Sequence, residues 1–159
     1  MTVAVLFVCM GNICRSPLAE AALRAEAERL GLDIEVDSAG TGDWHVGQPP
    51  DSRARAAARR HGVDIDALRA RQVEPSDFDR FDHVIALDLA NLRDLRRLRP
   101  EGAKAELSLL LDHVPGRAGQ AVADPYHGGD SHFDATWADV AEAARALAAK
   151  LAAQAARGS

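Results

Sequence analysis

The chain has 159 residues, a length at which one core buries about 68 to 70% of the unfolded surface. Hydrophobic residues at 47% and charged residues at 27% exclude a disordered chain, a collagen-like repeat and a disulfide scaffold. The net charge of -5 gives no domain-wide electrostatic footprint for nucleic acid, so any phosphate is bound locally.

Lys104 and Lys150 are the only lysines among 19 basic residues, so the run Arg53 to Arg60 reads as a general use of arginine rather than a binding patch. Val3 to Val8 is too short for a membrane span and has no basic segment before it, and the expectation is a cytoplasmic protein. Cys9 and Cys14 lie too close together to staple a chain of this length, which leaves chemistry as their use.

Val3 to Val8 is a continuous, β-branched apolar run that predicts a strand buried on both faces, central in a parallel sheet. After a turn from Cys9 to Arg15, Ser16 is placed to cap a helix, with Pro17 in its first turn and Gly31 at its end. Ile34 to Val36 predicts a short strand, and Asp37 to Pro50 a long ordered loop. Asp51 is read as the cap of a helix to about His61, while Val63 to Gln72 stays unassigned because its spacing does not settle it. His83 to Leu87 predicts the third strand, and Asp88 caps a helix to about Leu98. Glu106 to Leu111 is the fourth strand, Asp112 to Val122 a loop, and Phe133 to Ala156 a long helix with a frayed tail from about 154. The pattern implies an α/β fold: a single domain spanning 1–159, an open four-stranded parallel sheet flanked by helices, and ligand bound at the carboxyl ends of the strands.

The loop after the first strand carries the chemistry. Cys9-Met10-Gly11-Asn12-Ile13-Cys14-Arg15 places a thiol and a guanidinium at the two ends of a turn that feeds a helix N-terminus. Such a turn aims backbone N–H groups at one point, where a tetrahedral oxyanion fits, and Arg15 adds a planar bidentate clamp. The same positive field favours thiolate over thiol, which makes Cys9 a candidate nucleophile. The loop lacks the Gly-Lys-Ser or Gly-Lys-Thr of a nucleotide-triphosphate cradle and the glycine spacing of a dinucleotide fingerprint.

The longer string from Leu6 to Glu20 resembles the signature of the low-molecular-weight protein tyrosine phosphatases. The resemblance continues through Asp37 to Thr41, Trp44 to Gly47, Ala70 to Val73, Asp88 with Asn91 to Leu95, and Asp124-Pro125-Tyr126. It implies that Cys9 attacks phosphorus to form a cysteinyl-phosphate. Arg15 and the loop amides of Met10, Gly11, Asn12, Ile13 and Cys14 would hold the phosphoryl group, and Asp124 would serve as general acid and then base. It further implies that Asn12 stabilises the loop, that Ser16 donates to the nucleophile and that Ser38 holds Asn12. Ile13, Trp44 and Tyr126 would wall a pocket for phosphotyrosine proteins or small aryl phosphates. No cofactor, metal, nucleic acid or membrane is called for, and the acting species is expected to be a monomer.

The chain departs from the family in two places: His127 stands where many members have a second tyrosine, and Leu68 where the eukaryotic branch has a histidine. Arsenate reductases of similar fold relay oxidation through later cysteines, which are absent after Cys14. Relatives that hydrolyse phosphoarginine typically carry threonine at the position of Ile13, so Ile13 favours an aromatic substrate. A non-catalytic phosphate-binding module would need neither Cys9 nor Asp124. The mixture of carboxylates and histidines from Asp124 to Asp134 matches no calcium or zinc spacing, and His45 reads as a solvated loop histidine. Cys14 has two readings, a thiol packed in the loop or, favoured because the family pattern pairs it with Cys9, a resolving thiol that traps the oxidised nucleophile as a disulfide.

Overall fold

The computed structural model describes residues 2–158. Its elements run β1 (Val3–Cys9), α1 (Arg15–Leu30), β2 (Ile34–Gly40), α2 (Ser52–Arg60), α3 (Asp77–Arg80), β3 (His83–Ala86), α4 (Leu89–Leu98), β4 (Glu106–Leu109), a 3-10 turn (Leu110–His113) and α5 (Asp130–Arg157). The four strands form one parallel sheet in the order β2-β1-β3-β4. β1 is therefore central, as its unbroken apolar run requires.

The two faces of β1 feed two clusters. Val5, Phe7 and Cys9 point to α1, α2 and α5, where Leu18, Leu23, Phe133, Val140, Leu147 and Leu151 pack. Ala4, Leu6 and Val8 point to the other face, against Phe78, Phe81, Leu92 and Leu95. Both clusters are anchored on one strand, so the layers form a single domain. Among the described residues no helix is long and apolar enough to cross a membrane.

Several boundaries differ from the sequence expectation. β2 extends to Gly40, because Asp37 to Gly40 pair in register with Leu6 to Cys9. The long loop therefore begins only at Thr41. Val63 to Gln72 is irregular and joins the sheet by a single bridge between Gln72 and Gly40. α3 was not anticipated; its Asp77 is buried on an ion pair with Arg71. The fourth strand stops at Leu109, where the chain tightens into the 3-10 turn.

α1 is capped by Cys14, not Ser16; Ser16 lies inside the helix and turns its hydroxyl elsewhere. α5 starts at Asp130, earlier than the apolar pattern indicates, with the Gly129 N–H donating to His132 Nδ1 at 3.2 Å. It stays helical to Arg157, into the stretch expected to fray; Ser159 lies outside the described residues.

Candidate active site

The turn from Cys9 to Arg15 sits at the carboxyl end of β1, in the middle of the sheet. Its carbonyls are engaged from outside: Cys9 O accepts from Thr41 N–H at 2.9 Å, Met10 O from Gly42 N–H at 2.9 Å and Ile13 O from Asp51 N–H at 2.8 Å. With the carbonyls held outward, the alternate peptide groups can present N–H inward. Asn12 N–H does so, donating to Cys9 Sγ at 3.3 Å. Two special backbone positions make the turn possible. Asn12 has φ 57°, a left-handed conformation that asparagine tolerates better than most residues. At Gly40 a Cβ would stand 2.7 Å from Met10 O, so β2 can end against the loop only as glycine.

Beneath the loop a chain of hydrogen bonds runs to Cys9. Arg71 N–H donates to Asn12 Oδ1 at 3.0 Å, which orients the Asn12 amide. Asn12 Nδ2 then donates to Ser16 Oγ at 2.8 Å and to Ser38 Oγ at 3.0 Å. With its oxygen accepting from Asn12, Ser16 has its proton free for Cys9 Sγ, 2.9 Å away. Ser38 donates to Glu20 Oε1 at 2.8 Å, and Arg24 pairs with the other oxygen of Glu20. Burial pushes the Glu20 carboxyl up, although Ser38 and Arg24 oppose the shift. Sequence reasoning missed Glu20; the only local signal was a carboxylate among the apolar positions of α1. Leu68 lines a small cleft with Asn12, Glu20 and Ser38, an apolar neighbour to that polar chain.

Arg15 is 3% exposed. Its Nη1 donates to Asp88 Oδ2 at 2.7 Å and to Val122 O at 3.0 Å, while Nη2 lies 3.8 Å from Asp124 Oδ2. Burial alone would weaken the cation, but Cys9, Asp88 and Asp124 more than offset it and hold the guanidinium charged. Asp88 thus has two roles, since its Oδ1 also caps α4 by accepting from Asn91 N–H at 2.7 Å. The capping pattern was legible in the sequence, whereas the contact with Arg15 was not. Val122 is hung on the end of β3 through its N–H to Leu87 O at 2.9 Å, which brings Asp124 over the loop.

These groups line one pocket of about 250 Å³, with Cys9, Ile13 and Arg15 at the base and Asp124, Trp44 and Tyr126 around it. Met10, Gly11 and Cys14 also line it, and Asn12 and Ser38 stay buried below. Trp44 is 66% exposed and Tyr126 42% exposed, so both rings border the pocket while still reaching solvent. The Trp44 ring lies over Gly42, where any side chain would collide with it. His45 also lines the pocket, and its ring edge would meet a Cβ at Gly11 at 3.1 Å, so it is not merely solvated. His127 joins the rim, edge-on to Tyr126 at 5.2 Å between centroids. Burial, and next the Asp51 charge, push the Cys14 thiol far up.

The carboxylates and histidines after Asp124 disperse rather than converge. Asp134 binds Arg60 and His61, and His132 holds the start of α5.

A model of the family described as low molecular weight phosphotyrosine protein phosphatase matches residues 4–157. A low molecular weight protein-tyrosine-phosphatase of Streptomyces coelicolor is 50% identical over 139 residues, which cover 84% of each chain. Among solved structures, a protein tyrosine phosphatase from Entamoeba histolytica, holding Hepes in its active site, superposes with TM-score 0.90 at 36% identity, covering 96% of this chain and 98% of that one. A Drosophila arginine phosphatase superposes with TM-score 0.87 at 31% identity, covering 92% and 96%. With the family model spanning nearly all of the sequence, and the fold and loop in agreement, this chain belongs to the low molecular weight protein-tyrosine-phosphatase family of phosphoric monoester hydrolases.

Proposed function

We propose that the protein hydrolyses phosphotyrosine and related aryl phosphate monoesters through a cysteinyl-phosphate. The observation that carries this reading is the convergence of Cys9, Arg15 and Asp124, from two distant parts of the chain, on one aromatic-walled pocket. The phosphoryl group enters with its oxygens on Arg15 and the loop amides. The Cys9 thiolate attacks phosphorus while the P–O bond to the phenol breaks, and the Asp124 carboxyl gives its proton to the departing oxygen. Water then attacks the phosphocysteine, Asp124 takes back a proton, and the thiolate leaves with inorganic phosphate. The Ser16 hydroxyl supports the thiolate in both steps, from the position that Asn12, Ser38 and Glu20 give it.

The phenolate leaving group has a conjugate acid of pKa near 10, so a positioned acid contributes roughly 100- to 10,000-fold to the first step. The aromatic walls and Ile13 fit a flat phenyl ester better than an extended guanidino phosphate. The species that acts is a cytoplasmic monomer, which sedimentation of the purified protein and fractionation of its cells would check.

The test compares initial rates on phosphotyrosine, phosphoserine and phosphoarginine peptides without added metal. The expected result is preference for phosphotyrosine, no turnover by Cys9→Ser, and a roughly 100- to 10,000-fold loss for Asp124→Asn. Preference for phosphoarginine would move the activity to that of the Drosophila relative. Turnover that survives Cys9→Ser would overturn the mechanism.

A further inference from the structure

Among the arginines of α2, Arg55 donates to Pro50 O and Arg59 pairs with Asp66, both close in sequence, while Arg60 pairs with Asp134 of α5, away from the pocket. Arg53 instead joins two parts of the active site. Its Nε and Nη2 donate to the two carboxylate oxygens of Asp51, at 3.0 and 2.9 Å. Asp51 is itself tied to the phosphate loop by its N–H on Ile13 O at 2.8 Å. On the opposite side Arg53 Nη1 donates to Gly128 O at 2.9 Å. The flat guanidinium also stands 5.4 Å from the centroid of the Tyr126 ring and 4.7 Å from that of Phe133.

The loop from Val122 to Gly129 therefore has two attachments of different kinds. Its first half hangs on β3 and on Arg15, through Leu87 O and Val122 O. Its second half, which carries Tyr126, rests on Arg53. Asp124 sits between them: its Oδ1 accepts a local bond within the loop, from Tyr126 N–H at 3.1 Å, and its Oδ2 stands at a loose 3.8 Å from Arg15 Nη2.

We propose that Arg53 is a positioning residue for the general acid. By fixing Tyr126 and Gly128 against the Asp51 end of the phosphate loop, it sets where the Asp124 carboxyl meets the leaving oxygen. The task needs a planar cation, because two fork bonds, a third bond to Gly128 and two ring contacts cannot be made by an ammonium point charge. The inference rests on the reading of Asp124 as general acid.

The experiment measures kcat/KM, which reports the first phosphoryl transfer, over aryl phosphates whose leaving groups span pKa values from about 5 to about 10. An acid held in place protects the poor leaving groups most, so its misplacement is read as a slope and not as a uniform loss. Arg53→Met should lose roughly 10- to 100-fold on the phenyl ester and less than about 3-fold on the most acidic phenol. Arg53→Lys should show the same slope. Asp51→Asn, which keeps a good helix cap but weakens the fork, should show a shallower version, and Arg59→Ala should match the parent.

A loss equal across the series in folded Arg53→Met and Asp51→Asn, or parental rates in both, would overturn the proposal. Asp124→Asn run beside them separates the two levels. A steep slope for Asp124→Asn with flat Arg53 and Asp51 variants defeats only the positioning role. A flat Asp124→Asn defeats the general-acid reading and the positioning role with it.

Discussion

Cys14 lies beside the nucleophile on the same loop, yet its environment is the opposite of one that activates a thiol. It is buried, and its desolvation together with the charge of Asp51 keeps it protonated. A protonated thiol is a poor nucleophile, so Cys14 does not compete with Cys9 for phosphorus; the trapping role that the family resemblance implies requires Cys14 to give up its proton as the disulfide closes. Peroxide would convert the Cys9 thiolate to a sulfenic acid, and Cys14 would displace water from it to close the disulfide, which a dithiol reduces. After a peroxide pulse, dithiothreitol should restore most of the parent activity but far less in Cys14→Ser, where oxidation continues to the sulfinic acid. Equal recovery in the two proteins would end this role for Cys14.

At the scale of elements, α5 supports the turn from Cys9 to Arg15 while contributing no residue to the pocket lining. Phe133, Val140, Leu147 and Leu151 share a buried cluster with Leu18 and Leu23 of α1 and with Val5 and Phe7 of β1. The helix packs behind the two elements that carry Cys9 and Arg15. Leu147 is fully buried, and truncating such a side chain costs the lost transfer energy plus a cavity term. Leu147→Ala should destabilise the protein by about 2 to 5 kcal/mol in urea unfolding. Turnover per folded molecule should stay within about twofold at low temperature, since no group in the pocket moves its partner. Apolar periodicity made this helix legible in the sequence. Its true start was not, because the N-terminal turn is closed by His132 acting on Gly129, a contact that hydrophobic spacing does not encode.

For the whole molecule, pH acts through groups outside the pocket lining, His113 on the 3-10 turn and Glu20 beneath the loop. His113 joins the 3-10 turn to β4 and α5: the Lys150 ammonium donates to its Nδ1, so its Nε2–H donates to Ser108 Oγ. Burial and then the Lys150 charge lower its pKa from 6.5 to about 4. The unfolded chain therefore binds a proton below about pH 6.5 that the folded chain refuses until about pH 4, and stability falls as the pH drops through that window. Glu20 works in the opposite sense, because a raised carboxyl pKa favours the folded state on acidification. His113→Gln keeps a donor and an acceptor but no titration. Between pH 7.5 and 4.5 the melting temperature of the parent should fall by roughly 5 °C more than that of the variant. Parallel melting curves for the two proteins would show that His113 does not carry the effect.

What the sequence by itself determined was local. The apolar run of β1, the turn from Cys9 to Arg15 and the helix behind it lie within one short stretch, where bonded geometry already limits the distances between groups. A thiol and a guanidinium at the two ends of one turn could therefore be read directly, and the resemblance to the family began in that segment and continued through shorter matches along most of the chain. The tertiary structure decided which remote groups meet there. Asp88 reaches Arg15 because β3 lies beside β1, and Glu20 reaches Asn12 through Ser38 because β2 lies on the other side. Arg53, one of several arginines in a run that looked generic, reaches Gly128 because α2 packs beside α5. Spacing along a chain carries no information about contacts across a sheet, so these pairings exist only once burial of the two apolar faces has fixed the order of the strands.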